Sequence, residues 1–124
     1  MPTVFLEKAK ANLAVAEYCF NNGFYEASAN RAYCAAFQAA ITALAAQGIR
    51  NDKNEHKWVQ ASFSRELIHR RKIYPSRLSS FLSDLFRVRN EADYSAKLLG
   101  KTVALRQLTK ARDFSDTIIQ ETGS

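Results

Sequence analysis

The chain has 124 residues, the size of one domain, so we expect a single domain over residues 1–124. Its composition, 47% hydrophobic and 24% charged, excludes a disordered or disulfide-dense chain. The net charge of +6 favours polyanionic partners such as nucleic acid or nucleotides. No apolar run is long enough to span a membrane, and charges come early at the start, so we expect neither a membrane span nor a secretory signal.

Glycine and proline divide the chain into five segments of helical length. The first runs from Thr3 to near Asn22 and Gly23. Its apolar residues, at steps of three and four, share one face: Leu6, Ala9, Leu13, Ala16 and Phe20. The second runs from about Tyr25 to Gln47, and its apolar side chains spread beyond one stripe, which indicates a central helix buried on several sides. Its many alanines allow another helix to approach closely.

A polar loop over residues 48–54 precedes a third helix, which we expect to break around Tyr74 and Pro75 because the residue before a proline resists helical geometry. Its inner face carries Val59, Phe63 and Leu67. A fourth helix begins near Ser76 and turns inward Leu78, Phe81, Leu82 and Leu85. A fifth begins at about Thr102 and turns inward Leu108, Ala111, Phe114 and Ile118. Short connections predict antiparallel neighbours, and hence an all-α, up-and-down bundle of four to five helices.

The apolar stripe of the fourth helix continues at helical spacing onto Arg89, which places an arginine where the core should be. Burying a guanidinium without a partner is costly, and Asp93 lies one turn further on at i+4. With Asn90 and Tyr94, these residues form a group suited to binding an anion or a nucleotide. The alternative interpretation is an ion pair at the helix end with Tyr94 packed beneath it.

A second arginine, Arg31, precedes an apolar run in the second helix and is expected to be semi-buried. A salt bridge to Glu17, Glu26 or Asp93 is one explanation of such an arginine. A contact with a phosphate is the other.

The positive charge is concentrated between Arg50 and Arg77, where the net charge is +5, against +1 for the rest of the chain. Four basic residues at a helix end, beside Tyr74, suit contact with nucleic-acid phosphates and stacking of a base: Arg70, Arg71, Lys72 and Arg77. A solvated run of charges explains the same residues equally well.

Motifs for cofactor and metal chemistry are missing from the sequence. It contains no phosphate-binding loop of the GxxxxGK[ST] kind, no GxGxxG and no GxSxG, so we expect no cofactor. His56 and His69 lack the spacing of a helix-borne metal pair; His56, between two charged residues, is typical of a surface position, although acid or base work in a cleft stays open. Cys19 and Cys34 form no zinc or redox motif, which fits a reduced, cytoplasmic setting.

Three separated segments carry a resemblance to a known family. Residues 30–40, NRAYCAAFQAA, are similar to the segment NRAYYAAFHAA of small bacterial and archaeal HEPN-domain proteins. His56, Val59 and Phe63 fit the family's pattern after the loop, and residues 89–94, RNEADY, match its RxxADY ending. The resemblance covers essentially the whole chain and implies the HEPN fold, a helical bundle that often dimerises.

The resemblance also implies a function. Members of the wider superfamily are ribonucleases or RNA-binding proteins; many are toxins encoded beside a minimal nucleotidyltransferase antitoxin, and others are associated with nucleotide binding. The nucleases carry an R-x4-6-H motif that often begins Arg-Asn, as Arg89 and Asn90 do here. Tyr94 stands five residues after Arg89, where the motif would have its histidine, and a tyrosine with its ordinary pKa of about 10 is a poor proton acceptor near neutrality.

These observations lead to three hypotheses. The first is a catalytically weak or inactive HEPN module that binds RNA or a nucleotide, as a homodimer and in a toxin–antitoxin pair with a minimal nucleotidyltransferase. Its ligand site would comprise Arg31, Arg89, Asn90, Asp93 and Tyr94. The second is a metal-independent endoribonuclease toxin, in which Arg89, Asn90 and Tyr94 would be the catalytic candidates. The third is a protein-interaction module that binds no nucleic acid.

Overall fold

The computed structural model describes residues 3–122, and these form five α-helices and no strand. The helices are α1 (Thr3–Asn21), α2 (Tyr25–Ala46), α3 (His56–Ser62), α4 (Arg77–Tyr94) and α5 (Lys101–Thr122). The predicted all-α bundle and its five helical segments are therefore confirmed. Within the same range, no helix combines the length and apolar composition needed to cross a membrane.

Helices α1 and α2 form an antiparallel hairpin. The Asn12 amide on α1 donates to Gln38 on α2 at 2.7 Å, whereas further along α1 the carbonyl oxygen of Ala16 accepts from the Ser28 hydroxyl at 2.8 Å. Gly23 allows the tight reversal because its φ is +79°, a backbone conformation that strains residues with a side chain. Gly48 ends α2 in the same way, with a φ of +75°.

Helix α2 is the centre of the bundle and contacts every other helix. Its alanines at 32, 35, 36, 39, 40 and 43 are almost completely buried, so the neighbouring helices approach its backbone closely. Larger side chains from the surrounding helices fill the remaining core, among them Phe63, Leu82 and Phe114. The predicted central helix is thus confirmed.

The third helix departs from the prediction in two ways. After Ser62 it continues as a π-helix over Phe63–Arg70, and the helical conformation ends there, several residues before Pro75. The carbonyl oxygen of Leu67 accepts the amides of both Ile73 and Tyr74, at 2.8 and 3.2 Å, which turns the chain back on itself. Lys72, within this turn, adopts a left-handed backbone conformation with a φ of +53°. The break therefore comes from this turn, and proline only follows it.

Helix α4 runs antiparallel to both α2 and α5. Asp93, at its C-terminal end, meets Asn30 near the start of α2, and Asp84 meets Lys110 on α5. The predicted inner positions Leu78, Leu82 and Leu85 are buried. Because this face packs on α2, it carries Arg89 against the first half of the central helix.

Candidate functional site

Arg89 is held at the end of the apolar stripe of α4 and is largely buried, with its side chain 21% exposed. Its Nη1 donates to Asn90 Oδ1 at 3.0 Å, and its Nε lies 3.3 Å from Asp93 Oδ2. The predicted i+4 ion pair with Asp93 is therefore present. The Nε atom is buried and makes no hydrogen bond within residues 3–122, whereas Asp93 Oδ2 accepts one from Asn30 at 2.9 Å.

The face of the Arg89 guanidinium lies over an aromatic ring from the central helix. Its Cζ is 5.8 Å from the ring centroid of Tyr33, a cation–π distance. Tyr33 is 1% exposed, so the arginine rests on a buried and fixed surface. Burial raises the pKa of Tyr33 to about 12, against smaller opposing effects of Gln60 and Arg89, and the phenol is protonated at neutral pH.

His56 joins the same group from the first turn of α3, although it was not among the predicted site residues. Its Nδ1 lies 2.7 Å from Tyr33 Oη, and its ring packs between Phe37 and Phe86 with centroid distances of 4.7 and 5.4 Å. Partial burial, together with the charge of Arg89, lowers the pKa of His56 below its usual value. His56 is therefore neutral at pH 7 and is not the freely solvated histidine that its charged neighbours suggested.

We call this group the Arg89 cluster. It comprises Asn30, Tyr33, His56, Arg89, Asn90 and Asp93. Three helices, α2, α3 and α4, contribute to it. The terminal Nη2 of Arg89 and the Nε2 of His56 make no hydrogen bond within residues 3–122, and neither atom is fully buried, so the hydrogen-bonding capacity of both is unused.

Two residues predicted for this site lie apart from the cluster. Arg31 is exposed, not semi-buried, and its Nη1 donates to Asn12 on α1 at 3.1 Å. None of the three carboxylates expected as its partner makes a salt bridge with it. Tyr94 is 79% exposed at the end of α4, so the expectation that it packs beneath the ion pair is wrong. Its position in sequence beside Asp93 does not bring its ring into the cluster.

The predicted nucleic-acid contact surface is largely engaged by neighbouring side chains. Arg70 forms an ion pair with Glu66 at 3.0 Å, Arg71 donates to Gln47, and Arg77 makes a two-point contact with Asp113 at 3.0 and 3.1 Å. Tyr74 is buried against the ring of Phe63, so it is not available to stack with a base. Lys72 is exposed and has no partner among the described residues.

A separate cavity of about 470 Å³ lies beside the C-terminal end of α2. Apolar side chains of α1 and α2, together with Ile49 and Trp58, form most of its wall, and the polar loop over residues 50–54 forms its rim. The Arg89 cluster is not part of it. The cavity therefore does not bear on the chemistry of Arg89.

Comparison with known proteins agrees with this architecture. Residues 3–121 match the family described as the HEPN domain, which is nearly the whole chain. No curated protein matches the chain significantly. Since the family match spans the full helical bundle, including the segments that supply the Arg89 cluster, the chain belongs to the HEPN-domain family.

Proposed function

We propose that this protein is a HEPN module that binds RNA or a nucleotide through the Arg89 cluster. The observation that supports the proposal is that the Arg89 guanidinium is fixed in place and still has unused hydrogen-bond donors. Two neighbouring side chains and the Tyr33 ring fix its guanidinium, while its Nη2 hydrogens have no acceptor within residues 3–122. A fixed guanidinium with free donors is well suited to a phosphate, which offers only acceptors.

The surroundings of the cluster suit the remainder of a nucleotide. Phe37 and Phe86 are partly exposed and flank His56, and partly exposed aromatic rings beside a cation are the usual platform for a nucleobase. Asn30 and Asn90 add amide groups at the rim. The +6 net charge of the chain favours the approach of such a polyanion without specifying its site.

The proposed site lacks the histidine of the nuclease motif. Tyr94 occupies that place in the sequence and is 79% exposed, outside the cluster. We therefore propose binding without efficient cleavage. Arg31 and Tyr94 remain candidates for outer contacts with a longer RNA, as do Arg70, Arg71, Lys72 and Arg77.

The proposal is tested by removing the charge of Arg89 while keeping its length, in Arg89→Met. Arg106→Met is the matched control, because Arg106 is exposed on α5 and has no partner among the described residues. Binding of a labelled single-stranded RNA and of ATP is measured by fluorescence anisotropy over a range of salt concentrations. We expect Arg89→Met to weaken binding about tenfold or more, the effect of losing hydrogen bonds to a charged group, and the control to change mainly the salt dependence.

Unchanged binding in folded Arg89→Met would refute the site. No binding by the wild-type protein at low salt would refute the function and favour the protein-interaction module instead. That alternative predicts assembly with a partner that persists at high salt, where phosphate-driven binding is lost.

One observation favours a second candidate function, the metal-independent endoribonuclease. His56 places an imidazole beside Arg89 even though the motif histidine is missing. This candidate predicts that expression arrests growth, that purified protein cleaves RNA, and that Arg89→Ala abolishes both effects. Absence of cleavage by the wild-type protein would exclude it.

Dimerisation and a partner protein complete the proposal. Tyr94 and Leu98, which are 79% and 87% exposed, are large apolar side chains that follow Asp93 closely in sequence, and such exposed side chains suit an interface with a second copy. Light scattering at micromolar concentration tests the homodimer. The minimal nucleotidyltransferase partner and the cytoplasmic setting rest on the family likeness alone, and an adjacent reading frame for such an enzyme would support both.

A further inference from the structure

The hydrogen bonds around Tyr33 determine which nitrogen of His56 carries a proton. The Gln60 side chain donates to Tyr33 Oη at 3.4 Å, so the phenol oxygen already accepts one hydrogen bond. Its own proton needs an acceptor, and the atom within reach is His56 Nδ1 at 2.7 Å. A neutral imidazole has one protonated nitrogen, so acceptance at Nδ1 places the proton on Nε2.

The alternative arrangement conflicts with the same contacts. If Nδ1 carried the proton, it would donate to Tyr33 Oη; with the amide nitrogen of Gln60 facing Oη, as in this structure, the phenol proton would be left without an acceptor in a residue that is 1% exposed. An unsatisfied buried hydroxyl is costly. The hydrogen bonds therefore all point the same way: Gln60 donates to Tyr33, Tyr33 donates to His56 Nδ1, and the remaining ring proton is on His56 Nε2.

His56 and Arg89 belong to the same cluster, and Arg89 is close enough for its charge to lower the pKa of the imidazole. Both side chains lie against the ring of Tyr33, with His56 5.4 Å and Arg89 5.8 Å from its centroid. Nε2 has no hydrogen-bond partner within residues 3–122 and is not fully buried. Two unused donors, one charged and one neutral, are thus held around one buried ring.

We propose that His56 is a fixed hydrogen-bond donor of the Arg89 cluster, whose Nε2 hydrogen binds a phosphate oxygen of the nucleotide or RNA. The inference rests on the proposed function and deepens it. Phosphate suits the pair because its non-bridging oxygens accept hydrogen bonds from both donors. The same tautomer leaves Nε2 without a lone pair, so His56 cannot remove the proton of a ribose 2′-hydroxyl at that atom. The site binds the ligand and lacks the base that cleavage requires.

The tautomer is measured directly, without a ligand. Long-range ¹H–¹⁵N correlation spectra distinguish a protonated from an unprotonated ring nitrogen, and His56→Gln assigns the signals. We expect protonated Nε2 and unprotonated Nδ1 at pH 7 in the wild-type protein, and a mixture of tautomers in Tyr33→Phe. A proton on Nδ1, or two protonated nitrogens at pH 7, would overturn the inference.

The role in binding is tested with ATP and two substitutions of His56. His56→Gln keeps an N–H group near the place of Nε2, whereas His56→Phe keeps a ring and removes the donor. We expect His56→Phe to weaken ATP binding about tenfold, as for one hydrogen bond to a charged group, and His56→Gln to restore most of it. Circular dichroism confirms that both variants are folded, and adenosine serves as the phosphate-free control.

The outcomes separate this inference from the proposed function. If Arg89→Met loses ATP binding while folded His56→Phe keeps it, the role of His56 is refuted and the site stands. Equal loss in His56→Gln and His56→Phe would also refute a donor role, because an N–H group near the place of Nε2 would then not restore binding. No ATP or RNA binding by the wild-type protein would refute both.

Discussion

Asp84 connects α4 to α5 and is expected to make a measurable contribution to stability. Its Oδ2 accepts from Lys110 at 2.6 Å and from Gln107 at 3.1 Å, and its Oδ1 accepts from Arg87 at 2.6 Å. Burial alone would raise the pKa of Asp84, but these hydrogen bonds outweigh it and lower the pKa to about 2. The substitution Asp84→Asn removes the charge of this side chain with little change of shape.

The magnitude follows from the shift of the pKa from 3.8 to about 2. At roughly 1.4 kcal/mol per pH unit, the shift corresponds to about 2 kcal/mol of stability at neutral pH. The Asp84 side chain is 23% exposed, but Arg87 is 61% exposed, so solvent screens part of that contact. We therefore expect Asp84→Asn to lower the free energy of unfolding by about 1–2 kcal/mol at pH 7, and Tm by about 5 °C.

The effect must depend on pH with a definite sign. Because the pKa of Asp84 is lower in the folded than in the unfolded protein, its contribution is complete above about pH 5 and is lost as the pH falls from about 4 towards 2. About half should be gone at pH 3. Urea unfolding of the wild type and the variant at both pH values measures it. Asp116→Asn, an exposed carboxylate on α5 without a partner among the described residues, controls for net charge.

Two results would refute this reasoning. Equal stability of Asp84→Asn and wild type at pH 7 would mean that the three donors lose as much in desolvation as they gain from the carboxylate. A difference of the same size at pH 7 and pH 3 would mean that packing of the side chain, and not its ionisation, is responsible.

Three further predictions concern other parts of the chain. Gly48→Ala should lower the free energy of unfolding, measured with urea, by about 1 kcal/mol because the φ of Gly48 is +75°. Gly100→Ala should leave it unchanged, because Gly100 has open space around it and no positive φ. Equal effects of the two substitutions would contradict the backbone explanation. The pKa of His56, followed by NMR, should lie below its ordinary value of about 6.5 and should rise in Arg89→Met. Because the pKa is lower in the folded than in the unfolded protein, the contribution of His56 to stability should be lost as the pH falls below about 6.5. An unchanged pKa in Arg89→Met would show that the charge of Arg89 does not reach the ring. Phe114→Ala should lower stability by about 3–5 kcal/mol, because the ring is completely buried at the centre of the core; a loss below about 1 kcal/mol would mean that the core closes over the cavity.

Most of the fold could be predicted because the spacing of apolar residues reports which side of a helix is buried. The stripes on α1, α4 and α5 follow the 3.6-residue period closely, and the predicted inner positions of α5 are all buried. The π-helix over Phe63–Arg70 could not be predicted in this way. Its apolar residues Phe63 and Leu67 are four positions apart, a spacing that an α-helix would also have. The wider turn of a π-helix therefore leaves no trace in the apolar pattern.

The candidate site was predictable only where it is local in sequence. The Arg89–Asp93 ion pair follows from i+4 spacing on one helix. The contact of His56 with Tyr33 joins residues 23 positions apart and depends on how α3 packs across α2, which no spacing rule contains. Tyr74 was wrongly interpreted as a stacking surface because nothing in its charged sequence context shows that Phe63 covers it.

The central place of α2 has a consequence for how the chain folds. Its contacts with α1 are close in sequence, whereas its contacts with α5 join the first and last thirds of the chain. Because closing a long loop costs entropy before its contacts repay it, we expect the α1–α2 hairpin to form early and α5 to dock last. During synthesis the part of α2 that packs against α5 stays open until the buried residues of α5, among them Phe114 and Ile118, have left the ribosome. Any chain that terminates before them exposes that part of α2 to aggregation.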